Sequence, residues 1–263
     1  MTYCVGLFLD EGLVMVADTR TNAGLDNISS FAKLHHFHRA GDRLITAMTS
    51  GNLAVTQAVM NLVEEGLRHP DSNETETIWT VTTMFGAARL FGEAIRQVYR
   101  SQAQSLQAHQ VSFDASILIG GQLAGRTMRL FQIYSAGNFI EATSDTPFLQ
   151  LGEHKYGKPI LDRAVTKATP ITDAVKLALI SMDSTLRSNL SVGLPLDVLI
   201  HRNNRIDDFQ RYRVGENDAY FAMLRERWSL ALSMAHRDIP APPWAESSVV
   251  PPLLRSVDSP KSF

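Results

Sequence analysis

The chain reads as an α+β sandwich of four layers: two antiparallel sheets stacked face to face, with a pair of helices on each outer face. The order of elements predicts this class, because it runs strands, two helices, strands, two helices, strands and one closing helix. Helices that arrive in pairs between runs of antiparallel strands do not suit an alternating parallel fold. Size agrees, since 263 residues of which 44% are hydrophobic can bury a substantial core as one domain.

Thr2 to Leu9 carries Tyr3, Val5, Leu7 and Leu9 on alternate positions, Asp10-Glu11-Gly12 interrupts, and Leu13 to Asp18 resumes an apolar strand. This predicts a hairpin with a three-residue turn. Pairing Leu9 with Leu13 sets Cys4 opposite Asp18 and Thr2 opposite Arg20, which makes Thr2 and Asp18 diagonal neighbours about 7–8 Å apart; a bulge at Gly12 shifts that register. Thr21-Asn22-Ala23-Gly24 reads as a turn. Phe31 to Phe37 and Arg43 to Thr49 follow as a second pair around Ala40-Gly41-Asp42, so four strands open the chain.

Ser50-Gly51-Asn52 ends a strand and starts a helix whose Ala54, Val55, Ala58, Val59, Leu62 and Val63 share one face. A longer helix is predicted from Glu76 to Gln104. Val111 to Gly120, Met128 to Tyr134 and Phe139 to Ala142 return to strands, and helical spacing resumes from Tyr156 to Val165 and from Ile171 to Arg187. Val198 to His201 and Ile206 to Arg213 are the last strands, and Asn217 to His236 closes as an amphipathic helix. The domain is therefore read as residues 1–236. Residues 237–263 form a proline-rich tail that does not continue the helix; disorder and a clip onto a neighbouring subunit are both open for it.

Charge narrows the partners. The 25 basic and 27 acidic residues nearly cancel and no basic stripe is present to neutralise phosphates, so nucleic acid is not expected. No apolar stretch approaches the roughly 18 residues that span a bilayer, and no basic segment followed by an apolar one opens the chain. The expectation is a cytoplasmic protein with no membrane contact. Cys4 is the single cysteine, which excludes an internal disulfide and, within an apolar strand, reads as a buried hydrophobe. His36 and His38 share one face of a strand with His35 opposite; a His-x-His pair falls short of the three or four ligands that zinc needs, so no metal is expected. No cofactor motif appears.

Thr2 is the candidate that carries chemistry. A threonine hydroxyl is a poor nucleophile, but once Met1 is removed Thr2 is N-terminal, and its free α-amine, with a pKa of about 7.7–8.0, is a base within reach. Thr2, Ala17-Asp18, Lys33 and Ser50-Gly51 together resemble the catalytic framework of proteasome β-subunits and the HslV-type bacterial proteases, which are N-terminal nucleophile (Ntn) hydrolases. In that family an N-terminal Thr begins the first strand, an Ala-Asp ends the second, a lysine lies on the third, and a glycine follows the fourth at the head of a helix. The resemblance runs from about Thr2 to His201. Within the family the chain looks most like the bacterial Anbu branch, through Thr2-Tyr3-Cys4-Val5-Gly6, the run from Ala17 to Gly24, and the run from Leu151 to Arg163.

The resemblance implies an Ntn-hydrolase fold and a set of roles. Thr2 Oγ is the nucleophile, its α-amine the general base through a water, and Lys33 the cation beside them. Asp18 is the counter-charge that fixes Lys33, and the Gly51 amide is the oxyanion donor. Ser191 is carried over as a group close to the Thr2 amine. Two positions depart from the pattern: Glu153 stands where the family usually has a serine, and Ser188 where it has an aspartate. The implied reaction is amide hydrolysis by acyl transfer, without metal or nucleotide, in a ring-like or helical homo-oligomer acting on a peptide or amide substrate. Whether an unfoldase joins it is left open. Two further readings stand beside this one: an Ntn amidohydrolase for a small amide or γ-glutamyl compound, and a non-catalytic assembly subunit.

Overall fold

The structure is a computed structural model that describes residues 1–22, 28–68 and 75–245. Ala23 and Gly24 of the expected turn, and the tail beyond residue 245, lie outside the described residues. In chain order the elements are β1 (Tyr3–Phe8), β2 (Gly12–Asp18), β3 (Arg20–Asn22), β4 (Ile28–Ser30), β5 (Leu34–Arg39), β6 (Arg43–Gly51) and α1 (Leu53–Glu65). Next come β7 (Leu67–Arg68), β8 (Thr75–Glu76), α2 (Met84–Ala108), β9 (Ala115–Leu123), β10 (Arg129–Ile133), β11 (Phe139–Glu141) and β12 (Phe148–Gly152). Finally α3 (Lys158–Ala164), α4 (Ile171–Ser188), β13 (Leu196–Arg202), β14 (Phe209–Val214) and α5 (Ala219–Asp238) complete the chain. By internal contacts it divides into Met1–Ala222, which holds both sheets, and Met223–Phe263, which holds most of α5.

Two five-stranded antiparallel sheets form the centre, in the orders β12-β1-β2-β13-β14 and β11-β10-β9-β6-β5. Cys4, Met15, Ala17, Met48, Leu118 and Leu130 fill the space between them. On the far side of the second sheet, α1 and α2 bury Val55, Val59, Val63, Phe91 and Ile95 against Ile45, Ile117 and Phe131. On the far side of the first, α4 packs on β1 and β2, with α3 beside it. The α+β four-layer class is therefore as expected. Short ribbons β3-β4 and β7-β8 add to it, and β3 places Thr21 and Asn22 in a strand rather than in the expected turn.

The first hairpin differs from the expected register by one residue. Leu9 N donates to Gly12 O at 2.8 Å and Gly12 N donates back at 3.2 Å, which closes a two-residue loop of Asp10 and Glu11. Cys4 then faces Ala17 and Phe8 faces Leu13. A one-residue slip exchanges the faces of every side chain, so Asp18 falls in line with Tyr3 instead of sitting diagonal to Thr2. Gly12 permits the close pairing with β13: its φ is +151°, and a Cβ there would lie 2.1 Å from His201 O.

The long helix starts at Met84, not Glu76, because the preceding carbonyls and hydroxyls are engaged otherwise. Thr80 Oγ1 accepts from Thr77 N at 2.9 Å, and the buried Arg43 guanidinium donates to Ile78 O and Val81 O at 2.8 and 2.9 Å. Thr83 then caps α2 by accepting from Gly86 N at 2.9 Å. Ile78 and Val81, apolar at helical spacing, reach the same core from a turn.

Candidate active site

Thr2 enters β1 and is 6% exposed; Asp18 at the end of β2 and Lys33 just before β5 are 0% and 5% exposed. Lys33 Nζ donates to Asp18 Oδ1 at 2.8 Å and to Arg20 O at 2.7 Å, and lies 3.4 Å from Met1 O. Asp18 Oδ1 also accepts from Tyr3 N at 3.0 Å, and Oδ2 from Gly193 N at 3.4 Å. Burial pushes the Asp18 carboxyl up, while the Lys33 ammonium and the two amides pull it back. A buried pair held this way by further donors keeps its geometry. The Met1-Thr2-Tyr3 backbone is thus gripped at Met1 O and at Tyr3 N by the two members of one ion pair.

A third grip is on the Thr2 carbonyl. Glu153 N donates to Thr2 O at 2.8 Å, and Gly152, with φ +75°, passes so close that a Cβ would lie 1.8 Å from that oxygen. Only glycine fits a left-handed backbone at such an approach.

Gly51 ends β6 with φ +113°, and a Cβ there would lie 2.3 Å from Asp114 O. Asn52 follows as the cap of α1: its side chain accepts from Ala54 N and Val55 N, and its own amide donates to Asp114 O at 2.8 Å. Met1, Thr2, Lys33, Thr49, Ser50 and Gly51 line one cleft of about 800 Å³, with Asn52 and Leu53 from the helix start beside them. The positive end of α1 therefore faces the cleft that Thr2 enters.

Four of the five expected residues, Thr2, Asp18, Lys33 and Gly51, are brought together; Asp18 lies behind the cleft and the other three line it. Ser191 is not among the residues lining that cleft. It sits in the loop after α4, where its amide donates to Asn189 Oδ1 at 2.9 Å, and no bond joins it to Thr2. The loop's contribution comes instead from Gly193, whose amide holds Asp18; backbone donors of this kind leave no mark in a residue pattern. The Tyr3 and Glu153 amides, as donors, and Arg20 O, as an acceptor, leave no such mark either. Cys4, next but one to Thr2, is wholly buried and burial pushes its thiol up, so it is no competing nucleophile. Among the described residues no group of three or more His, Cys, Asp or Glu side chains is arranged to hold a metal. His36 and His38 pack against Phe209 with tilted rings, centroids 5.7 and 5.0 Å away.

A family model described as "Proteasome subunit" matches residues 2–200. The chain belongs to the proteasome family. Solved structures place it in the Anbu branch of that family: Anbu from Yersinia bercovieri is 46% identical with a TM-score of 0.83, covering 91% of this chain and 98% of that one. Anbu from Hyphomicrobium sp. strain MC1 is 46% identical at a TM-score of 0.81, over 91% and 98%. The helical assembly of the Anbu complex from Pseudomonas aeruginosa is 45% identical at 0.86, over 93% and 100%. Among proteins with curated descriptions none matches. No helix among the described residues is long and apolar enough to cross a membrane.

Proposed function

We propose that this proteasome-family subunit is a threonine-type peptidase that hydrolyses amide bonds with Thr2 as nucleophile, working in a homo-oligomer. The observation that carries the reading is the Lys33–Asp18 pair, 2.8 Å across, with Asp18 holding Tyr3 N and Lys33 Nζ 3.4 Å from Met1 O, the carbonyl bonded to the Thr2 nitrogen. Once Met1 is removed and Thr2 is N-terminal, the nitrogen that was an amide becomes an amine beside the Lys33 ammonium. A fixed positive charge disfavours protonation of that amine, so more of it is free base near neutral pH. The amine takes the Thr2 Oγ proton through a water, Oγ attacks the substrate carbonyl, and the oxyanion forms toward the Gly51 amide at the positive end of α1. The amine leaving group departs with the proton, leaving an ester on Thr2. Water then hydrolyses the ester, returning the proton to Oγ.

Assembly into a homo-oligomer is supported by the helical assembly described for the Pseudomonas aeruginosa relative. Cytoplasmic location is part of the same proposal.

The test is the mass of the intact protein followed by an electrophile. Loss of one methionine residue, then addition of a peptide epoxyketone to Thr2, is the expected result. Retention of Met1 in the native protein sinks the proposal, and failure of every peptide probe with turnover of small amides replaces it with the small-amide hydrolase.

A further inference from the structure

Ser50 stands beside the proposed oxyanion donor at the end of β6, and none of the roles given so far uses its side chain. Successive side chains of a strand point to opposite faces. Ile45 and Ala47 of β6 face the helices whereas Met48 lies between the two sheets, and the unbroken pairing of β6 with β9 carries that alternation on to Ser50. Ser50 therefore points toward the first sheet. Thr2 answers it from the other side, because Cys4, two residues further along, also lies between the sheets. The two hydroxyl-bearing residues face each other across the end of the sandwich, and both line the same cleft.

Gly152 shows how near they come. Ser50 Oγ lies 3.5 Å from the point where a Cβ on Gly152 would stand, and Thr2 O is closer still to that point. Ser50 is half-buried, yet no described residue hydrogen-bonds its hydroxyl. Polar groups taken out of water are ordinarily given a partner. This one is left for a group that removal of Met1 creates.

The new Thr2 α-amine needs what Ser50 has. As the free base it carries two N–H donors and one lone pair, and a donor held elsewhere turns the lone pair toward Oγ. Lys33 cannot hold it, since an ammonium has donors only. The Asp18 oxygens are engaged by Lys33 Nζ, Tyr3 N and Gly193 N. Thr49, the neighbouring hydroxyl on β6, points by the same alternation to the helix side, where it lines a pocket with Gln57 and Met60 of α1.

We propose that Ser50 is a further catalytic residue: in the processed protein its Oγ accepts a hydrogen bond from the Thr2 α-amine and turns the nitrogen lone pair toward Thr2 Oγ. The lone pair takes the Oγ proton through the water, and the resulting ammonium keeps its bond to Ser50 until the proton passes to the leaving amine. Ser50 itself neither gains nor loses a proton. The inference rests on the peptidase reading above.

Addition of a peptide epoxyketone to Thr2, followed by mass on the full-length protein after Met1 removal, tests it. Ser50→Ala is expected to slow addition at saturating probe about tenfold, the loss of one hydrogen bond to a group that becomes charged, with half-saturation nearly unchanged. Ser50→Thr, which keeps the hydroxyl, is expected to recover most of the rate. A Ser50→Ala protein that reacts at the parental rate overturns the proposal, and so does a Ser50→Thr protein as slow as Ser50→Ala, which assigns the effect to the shape of the strand end. If the parent protein is not labelled at all, it is the peptidase reading that fails. The contact is then decided by the pH dependence of acetylation of the Thr2 amine with acetic anhydride, read on the N-terminal peptide, with Met1 removed by a methionine aminopeptidase where the cell has left it. A half-point that Ser50→Ala moves to lower pH and Ser50→Thr restores upholds the contact, because the lost acceptor favoured the charged amine; a half-point that does not move overturns it.

Discussion

Lys33 Nζ and Asp18 Oδ1 lie 2.8 Å apart with the two side chains 6% and 0% exposed, and each partner also holds the backbone next to Thr2. Breaking the pair from one side leaves a buried charge without compensation. Lys33→Ala is expected to cost about 3–5 kcal/mol in urea unfolding and to abolish Thr2 labelling. Replacing both with apolar residues recovers only part of the stability, because Tyr3 N and Gly193 N lose the acceptor they share, at about 1–3 kcal/mol for each buried group left unsatisfied. A double variant as stable as the parent would show that the carboxylate does not anchor these amides.

Gly152 tests the grip on Thr2 itself. In Gly152→Ala the new methyl meets Thr2 O, a backbone atom that cannot swing aside, in a left-handed conformation that disfavours any Cβ. The strand end must move, so Thr2 labelling is expected to fall by at least about tenfold, the equivalent of 1.4 kcal/mol or a little more in the barrier. Gly41→Ala, at φ +67° with nothing within 4 Å of the added carbon, is the control that carries backbone strain alone. Equal effects of the two on labelling would remove Gly152 from the site.

His201 makes stability depend on pH. It is 0% exposed, neither ring nitrogen has a partner, and burial lowers its pKa to about 4. The unfolded chain binds this proton near pH 6.5 and the folded chain near 4, so the folded state is at no disadvantage above 6.5 and loses stability as pH falls between the two. The full difference is about 3 kcal/mol. Urea unfolding at pH 7 and pH 4.5, compared between the parent and His201→Leu, should show a drop in the parent that is smaller in the variant by most of that amount. The same drop in both would assign it to other groups.

Much of this architecture was legible in the amino-acid sequence because strand alternation and helix periodicity survive folding. The first hairpin register was not, because one more residue in the turn exchanges the faces of a whole strand and Gly12 fits either loop. The start of α2 was misplaced because Ile78 and Val81 satisfy a helical pattern equally well from a turn, and only Arg43, distant in sequence, decides between them. At the site, the side chains Thr2, Asp18 and Lys33 are legible through their resemblance to the proteasome framework. The amides of Tyr3, Gly193 and Glu153 carry no residue signature, because any residue type supplies a backbone N–H.

Asn52 joins the helix to the oxyanion position, and it can be altered without touching Thr2. Its side chain accepts the Ala54 and Val55 amides while its own N–H ties the chain to Asp114 O next to Gly51. Asn52→Ala removes only the side-chain cap, at about 1 kcal/mol in stability, and frees the first turn of α1 to fray. The backbone tie at Asp114 stays, so the cleft keeps its shape and the affinity for a reversible peptide should change little. The cap serves the orientation of the Gly51 amide and the dipole behind it, which matter when negative charge develops on the substrate oxygen. The expected signature is therefore a fall of about tenfold or more in the rate of acylation at saturating probe, with half-saturation nearly unchanged. A variant that loses the cap's stability but acylates at the parental rate would show that the Asn52 side-chain cap does not support the oxyanion position.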